Sequence, residues 1–234
     1  MLLALALCLA VVLAACGNDD SAEKDKKNDD EKADTAEQAQ KPVEITDKEK
    51  VDEKKPVVSV NGDEINGDKY NSIYTQIKMS MHQYGQDVSD LDKLKDQTLN
   101  ILVEQQLIKQ DAEDKGLKVT DDEIQSEFDS IKKENGEQLT AVLEQFKLSE
   151  DDFKNQLADD IITNKYMEKE LDVKVTDKEV KEYYDQLKEQ SEDIGKLDEM
   201  KDQIKEQLKN QKSQEQLQSK VEELKEKAEV KNLI

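Results

Sequence analysis

The chain has 234 residues, and its 57 acidic side chains outweigh 35 basic ones, all lysine, to leave a formal charge of −22. That sign excludes a nucleic-acid binder, whose affinity comes from cations facing phosphates. With 39% charged and 35% hydrophobic residues, no Trp, three Phe and six Tyr, a large β-sandwich or parallel α/β core is excluded as well. Amphipathic helices with one apolar stripe and a solvated back suit this composition.

Residues Leu2 to Ala15 are uninterrupted apolar or Cys. The run is short for a bilayer span but matches a signal-peptide hydrophobic region. It ends Leu13-Ala14-Ala15-Cys16-Gly17, which resembles the bacterial lipobox. That resemblance implies a signal peptide over residues 1–15 and a membrane anchor through acylated Cys16, on the extracytoplasmic face. Two or more acyl chains anchor stably where one is marginal. No Lys or Arg precedes Lys24, so the basic leader of a signal is missing: the true start lies upstream or the signal is atypical. Residues 17–55 contain almost no large apolar side chains. Such a stretch cannot offset its chain entropy by burial, and with the lipidated Cys it predicts an acidic, disordered tether over residues 16–55 with a reach of roughly 35 Å. The acidic run Asp29-Asp30-Glu31 lacks the ligand spacing of a calcium loop.

The folded body is expected over residues 56–234, mainly α-helical with a small β element. Val57-Val58-Ser59-Val60-Asn61-Gly62-Asp63-Glu64-Ile65 places β-branched residues around Asn-Gly, the strongest short hairpin signal. Helix follows from about Asp68 to Tyr84, with Tyr70, Tyr74, Ile77, Met81 and Tyr84 at helical spacing, and again from about Leu91 to Lys115. Gly85, Gly116, Gly136 and Gly195 fall where amphipathic patterns end, as helix C-caps do.

An internal repeat comes next. Lys118-Val119-Thr120-Asp121-Asp122-Glu123-Ile124 recurs 56 residues later as Lys174-Val175-Thr176-Asp177-Lys178-Glu179-Val180, and the match extends to Phe128/Tyr184 and Ile131/Leu187. Thr three residues before Glu is a capping box in each copy. Ser149 opens a further helix bearing Phe153, Leu157 and Ile161 on one face. A long helix of coiled-coil character runs from about Leu197 to Lys227. Leu208 and Leu217, nine residues apart, are about half a revolution out of phase, so this helix either kinks or meets different partners with its two halves. The alternating tail Glu229–Ile234 reads as a strand, and a lone strand needs a partner. The opening hairpin is the only other β signal, so the tail is expected to pair with Val57–Val60.

The hairpin VVSVNGDEI, the helix LKDQTLNILVEQQLIKQDAEDKGLKVTDDEI, the second VTDKEVKEYYDQ and the tail IKEQLKNQKSQEQLQSKVEELKEKAEVKNLI together resemble the SurA/PrsA family of extracytoplasmic chaperones over residues 57–234. The resemblance implies one helical chaperone domain formed by the N- and C-terminal segments. PrsA-type members carry a parvulin prolyl-isomerase domain between the second VTDKEV helix and the long C-terminal helix. Here about ten residues, Ser191 to Met200, fill that gap, and the single His, His82, lies far upstream. The implied function is therefore a membrane-anchored holdase that binds unfolded, newly secreted chains transiently, with no catalytic residue, metal or cofactor. The alternatives are a lipoprotein adaptor for one envelope partner and a prolyl isomerase. Tyr74, Met79, Met81 and Tyr84 are the candidate client-binding residues, because Met and Tyr suit promiscuous surfaces; the bland alternative is that most of them pack against the second helix. Paired carboxylates such as Asp121-Asp122 and Asp151-Asp152 sit where helix N-termini favour negative charge, and no Gly-rich phosphate loop is present. Dimerisation through the long helix is left open.

Overall fold

The Asn61-Gly62 turn, both residues at positive φ, folds β1 (Pro56–Val60) back on β2 (Asp63–Asn66). In the computed structural model, residues 43–191 and 194–234 are described, and the body spans Val43–Ile234. After the hairpin come α1 (Gly67–Gln83), α2 (Leu91–Asp114), α3 (Asp121–Asn135), α4 (Glu137–Phe146), α5 (Glu150–Glu170), α6 (Asp177–Gln190), α7 (Leu197–Lys227) and β3 (Val230–Asn232). The signal-like run, Cys16 and residues 17–42 lie outside the described residues.

The C-terminal strand closes on the hairpin as its alternation predicts. The sheet order is β2-β1-β3, with β3 antiparallel to β1 in the register Val58↔Asn232 and Val60↔Val230. The Leu233 N–H donates to the Val57 carbonyl at 3.0 Å. β1 is thus the central strand, and Val57, Val58 and Val60 are fully buried. They join Tyr70, Tyr74 and Ile77 of α1 with Leu94, Leu102 and Leu107 of α2 in the main core.

The body begins earlier than the expected boundary at residue 56. Residues 43–55, read as the end of the tether, form a strap against α1. Ile45 and Val51 pack on the main core. The Asn71 side chain receives the Val51 N–H at 3.0 Å and donates to the Val51 carbonyl at 2.9 Å. Glu49, 8% exposed, pairs with Lys78 and accepts the Tyr74 hydroxyl at 2.9 Å. A Cβ built at Gly67 would lie 2.2 Å from the Asp52 carbonyl oxygen, so the strap's closeness to α1 depends on glycine there.

The long α7 is one helix whose halves meet different neighbours. Its first half packs on α6 through buried Ile204 and the Gln207–Tyr183 hydrogen bond at 2.6 Å. Its second half packs on α2, with Leu217 and Val221 buried and Lys225 paired to Glu104 at 2.7 Å. Of the two readings of the phase change, the structure takes the second. One expectation needs correction, and one element was missed. Gly195 does not cap a helix; α6 ends at Gln190 with Ser191 as its cap. The short helix α4 was not delineated from sequence at all. It follows α3 directly because Gly136 adopts φ 50°, ψ −122°, a backbone state that only glycine enters readily.

Candidate client-binding surface

The stripe Tyr70–Tyr74–Ile77–Met81–Tyr84 runs along one face of α1 and leaves the core as it ascends. Tyr70 and Tyr74 are buried and stack with ring centroids 5.7 Å apart. Burial pushes the Tyr70 hydroxyl up to about 12, with Glu49 and Asp96 nearby adding to the shift. Tyr74 is likewise raised, by burial and by its bond to Glu49. Ile77 is buried and Met81 is half-buried against the core. Tyr84, at the helix end, is 75% exposed.

The four candidate residues therefore do not form one surface. Tyr74 is a core residue, 2% exposed, and is withdrawn from any client. Met79 is half-buried on the neighbouring face with Ser72 and Gln76, and Ser72 receives the Gln156 side chain of α5 at 3.3 Å. Only Met81 and Tyr84 sit at the open end of the stripe. The structure adds Leu91, 42% exposed at the first position of α2, across the connection from Tyr84. Val230, Leu233 and Ile234 on the edge strand are exposed as well. Their alternation marks a strand in the sequence but does not say which face stays open.

Two helical arms, α3 with α5 and α6 with α7, are fastened by the same device. In the first, the capping box Thr120/Glu123 starts α3, and Lys165 of α5 donates to Glu123 at 2.5 Å and to the Lys118 carbonyl at 2.8 Å. In the second, the box Thr176/Glu179 starts α6, and Lys212 of α7 donates to Glu179 at 2.5 Å and to the Lys174 carbonyl at 2.8 Å. The lysine and the Thr capping contacts hold each glutamate down to about 2. Each helix start is thereby bolted to a distant helix while charged groups stay at the rim. Tyr184 donates to the Gly195 carbonyl at 3.0 Å, which ties Gly195, two residues before α7, to α6.

The remaining hollows are polar. One between α2, α7 and the β1–β2 turn is lined by Asn61, Asp63, Gln110, Asp111, Leu224 and Lys227. Among the described residues, no three His, Cys, Asp or Glu side chains converge to hold a metal, and no helix is long and apolar enough to cross a membrane. His82 is half-exposed in the last turn of α1.

The sequence of this chain is similar to those of known proteins. A family model for the SurA-like N-terminal domain matches residues 43–167, starting at the strap. The foldase protein PrsA of Caldanaerobacter subterraneus is 32% identical over 147 residues, covering 58% of this chain and 44% of that protein. PrsA of Clostridium perfringens is 29% identical over 154 residues, covering 59% and 44%, and PrsA 2 of Bacillus cereus is 36% identical over 80 residues, covering 34% and 27%. The chain thus spans less than half the length of these relatives.

Proposed function

Because the chain belongs to the family of SurA-like N-terminal domains, we propose that it is an extracytoplasmic holdase that binds unfolded polypeptides transiently and keeps them from aggregating. The observation that carries this reading is the α1 stripe, which turns from core to surface within three turns and ends in Met81 and the exposed Tyr84, with Leu91 beside the same connection. Met and Tyr adapt to many apolar partners. Binding there is driven by apolar burial and is weak, while the charge of −22 keeps copies of the chaperone apart.

In this reading Cys16 is acylated and holds the protein at the outer face of the membrane, and residues 17–42 are the tether. The strap then joins tether to body at a fixed point on α1. The reading assigns no isomerase chemistry to the described residues. The connection from Gln190 to Leu197 is short, and His82 stands apart from it on α1.

The α1 stripe is tested with Tyr84→Ser combined with Leu91→Ser. Both side chains are exposed, so thermal stability is expected to stay within about 0.5 kcal/mol. The amount of denatured client captured at equal concentration is expected to fall at least threefold. Capture unchanged from wild type would remove this surface from the reading.

A further inference from the structure

The two edges of the sheet differ. β2 carries Asp63 and Glu64, and Gln106 and Gln110 of α2 donate to the Asp63 carboxylate at 3.1 and 2.7 Å. Charge and cover of this kind blunt an edge strand against further pairing. On β3 all three residues are exposed, and in the order β2-β1-β3 nothing among the described residues pairs with its outer side. Lys231 pairs with Glu229 at 2.9 Å, so the side chains of residues 229–234 carry no net charge, on a chain of −22.

The ladder fixes which main-chain groups face outward. The Asn61 N–H donates to the Glu229 carbonyl at 2.8 Å, and the Leu233 N–H donates to the Val57 carbonyl at 3.0 Å. Antiparallel strands alternate hydrogen-bonded with non-hydrogen-bonded pairs, so residues 229, 231 and 233 turn their amides to β1. Val230 and Asn232, opposite Val60 and Val58, turn theirs away. At the far end the Ile234 N–H bonds the Asn232 side chain at 3.0 Å. By the same alternation Val230 and Ile234 share one face and Leu233 lies on the other, and all three side chains are exposed.

We propose that β3 is a docking edge for an extended apolar segment of an unfolded client, which adds to the sheet as a fourth strand. The occupant follows from the groups on offer. N–H and C=O at strand spacing match the backbone of any extended chain and ask for no particular sequence. Val230, Leu233 and Ile234 meet apolar side chains at alternate positions of the added strand. A second copy of this chain fits worse, because pairing would bring two bodies of −22 together, whereas a neutral segment meets no such repulsion. The proposal rests on the holdase reading and gives it a second contact, made through the backbone and on different elements from Met81, Tyr84 and Leu91.

Proline at an outward amide makes the test selective. Asn232→Pro removes one outward donor while the Lys231 and Leu233 amides stay on β1, and an edge strand tolerates proline where its N–H faces solvent. Asn232→Thr keeps the donor. The probe is a fluorescein-labelled, end-blocked peptide of four Thr-Val repeats with Lys at each end, added to the full chain in lipid nanodiscs with empty discs as blank. Saturable anisotropy is expected, at least threefold weaker in Asn232→Pro and unchanged in Asn232→Thr. Binding is expected to weaken at least tenfold when the inner amides of the peptide are N-methylated. That comparison holds side chains and charge constant and uses the wild-type protein, so it stands even should proline disturb β3. Equal binding of the two peptides overturns the proposal, and so does equal binding by wild type and Asn232→Pro. Dimerisation in sedimentation that Asn232→Pro abolishes overturns it in favour of a second copy. Absence of peptide binding with client aggregation still suppressed overturns it and leaves the holdase reading standing; absence of both overturns the two together.

Discussion

Replacing Glu49 with Ala is expected to destabilise the protein by about 3–5 kcal/mol, measured by denaturant unfolding at pH 7. Glu49 and Lys78 are both below a tenth exposed and face each other as an ion pair. Breaking such a pair leaves an uncompensated charge in the interior, which costs far more than the pair itself contributes. Lys78 would keep its bond to the Glu44 carbonyl at 3.0 Å, while the Tyr74 hydroxyl would lose its acceptor. The effect depends on pH. Burial alone would raise the Glu49 carboxyl, but Lys78, Thr46 and Tyr74 outweigh it and bring it down from 4.5 to about 2. A depressed carboxylate stabilises the folded state above its unfolded pKa and loses that contribution as pH falls through the folded value. The gap between wild type and Glu49→Gln therefore narrows from pH 5 toward pH 2. The double replacement Glu49→Leu with Lys78→Met, which leaves no lone charge, is expected to cost less than the single Glu49→Ala. A Glu49→Ala cost below about 1 kcal/mol, the range of a surface pair, would mean that the strap is not held through this pair.

Leu217→Ala is expected to cost about 2–5 kcal/mol, while Leu208→Ala costs markedly less, on the order of 1 kcal/mol. Both are leucines of α7, and their periodicity alone treats them alike. Leu217 is fully buried in the half of the helix that meets α2, whereas Leu208 is half-exposed in the half that meets α6. Thermal or denaturant unfolding of the two variants compares the halves directly. Equal costs would mean that α7 does not divide its contacts near residue 212.

What could be read in the sequence was whatever has a short-range physical signature. Asn-Gly between β-branched residues set the hairpin, and the Thr-x-x-Glu boxes set the first residues of α3 and α6. The nine-residue offset between Leu208 and Leu217 narrowed α7 to a kink or two sets of partners, and the structure takes the latter. The strap was missed for a reason in its chemistry. Residues 43–55 hold few apolar side chains, and they are fixed by Asn71, by the approach at Gly67 and by a charged pair whose partner lies 29 residues away. Charged residues in a polar stretch look like a solvated tether unless their partner is known. The division of the candidate surface between core and exterior was illegible for the same reason. Tyr74 and Tyr84 carry identical periodicity, and only the depth of the strap and the end of α1 decide that one is core and the other exposed. The repeat was visible on α3 and α6, but its second half was not, because α5 and α7 share only scattered apolar positions and a lysine, at an offset of 47 residues rather than 56. That lysine acquires meaning only when it is seen reaching the capping glutamate of another helix.

The strap also bears on how a membrane-held chaperone would work. Under the proposed anchoring, any pull through the tether is met first at Asn71 and Lys78 of α1, the helix whose far end carries Met81 and Tyr84.

The central claim is that this body alone holds unfolded chains. Its most direct test dilutes a denatured, proline-containing client into residues 17–234 and follows light scattering together with the refolding rate. Scattering that falls as the chaperone-to-client ratio approaches one, with the rate unchanged, is the expected result. Scattering unaffected at large excess, or a refolding rate accelerated by catalytic amounts, would contradict it: the first would point to one specific envelope partner, the second to an isomerase.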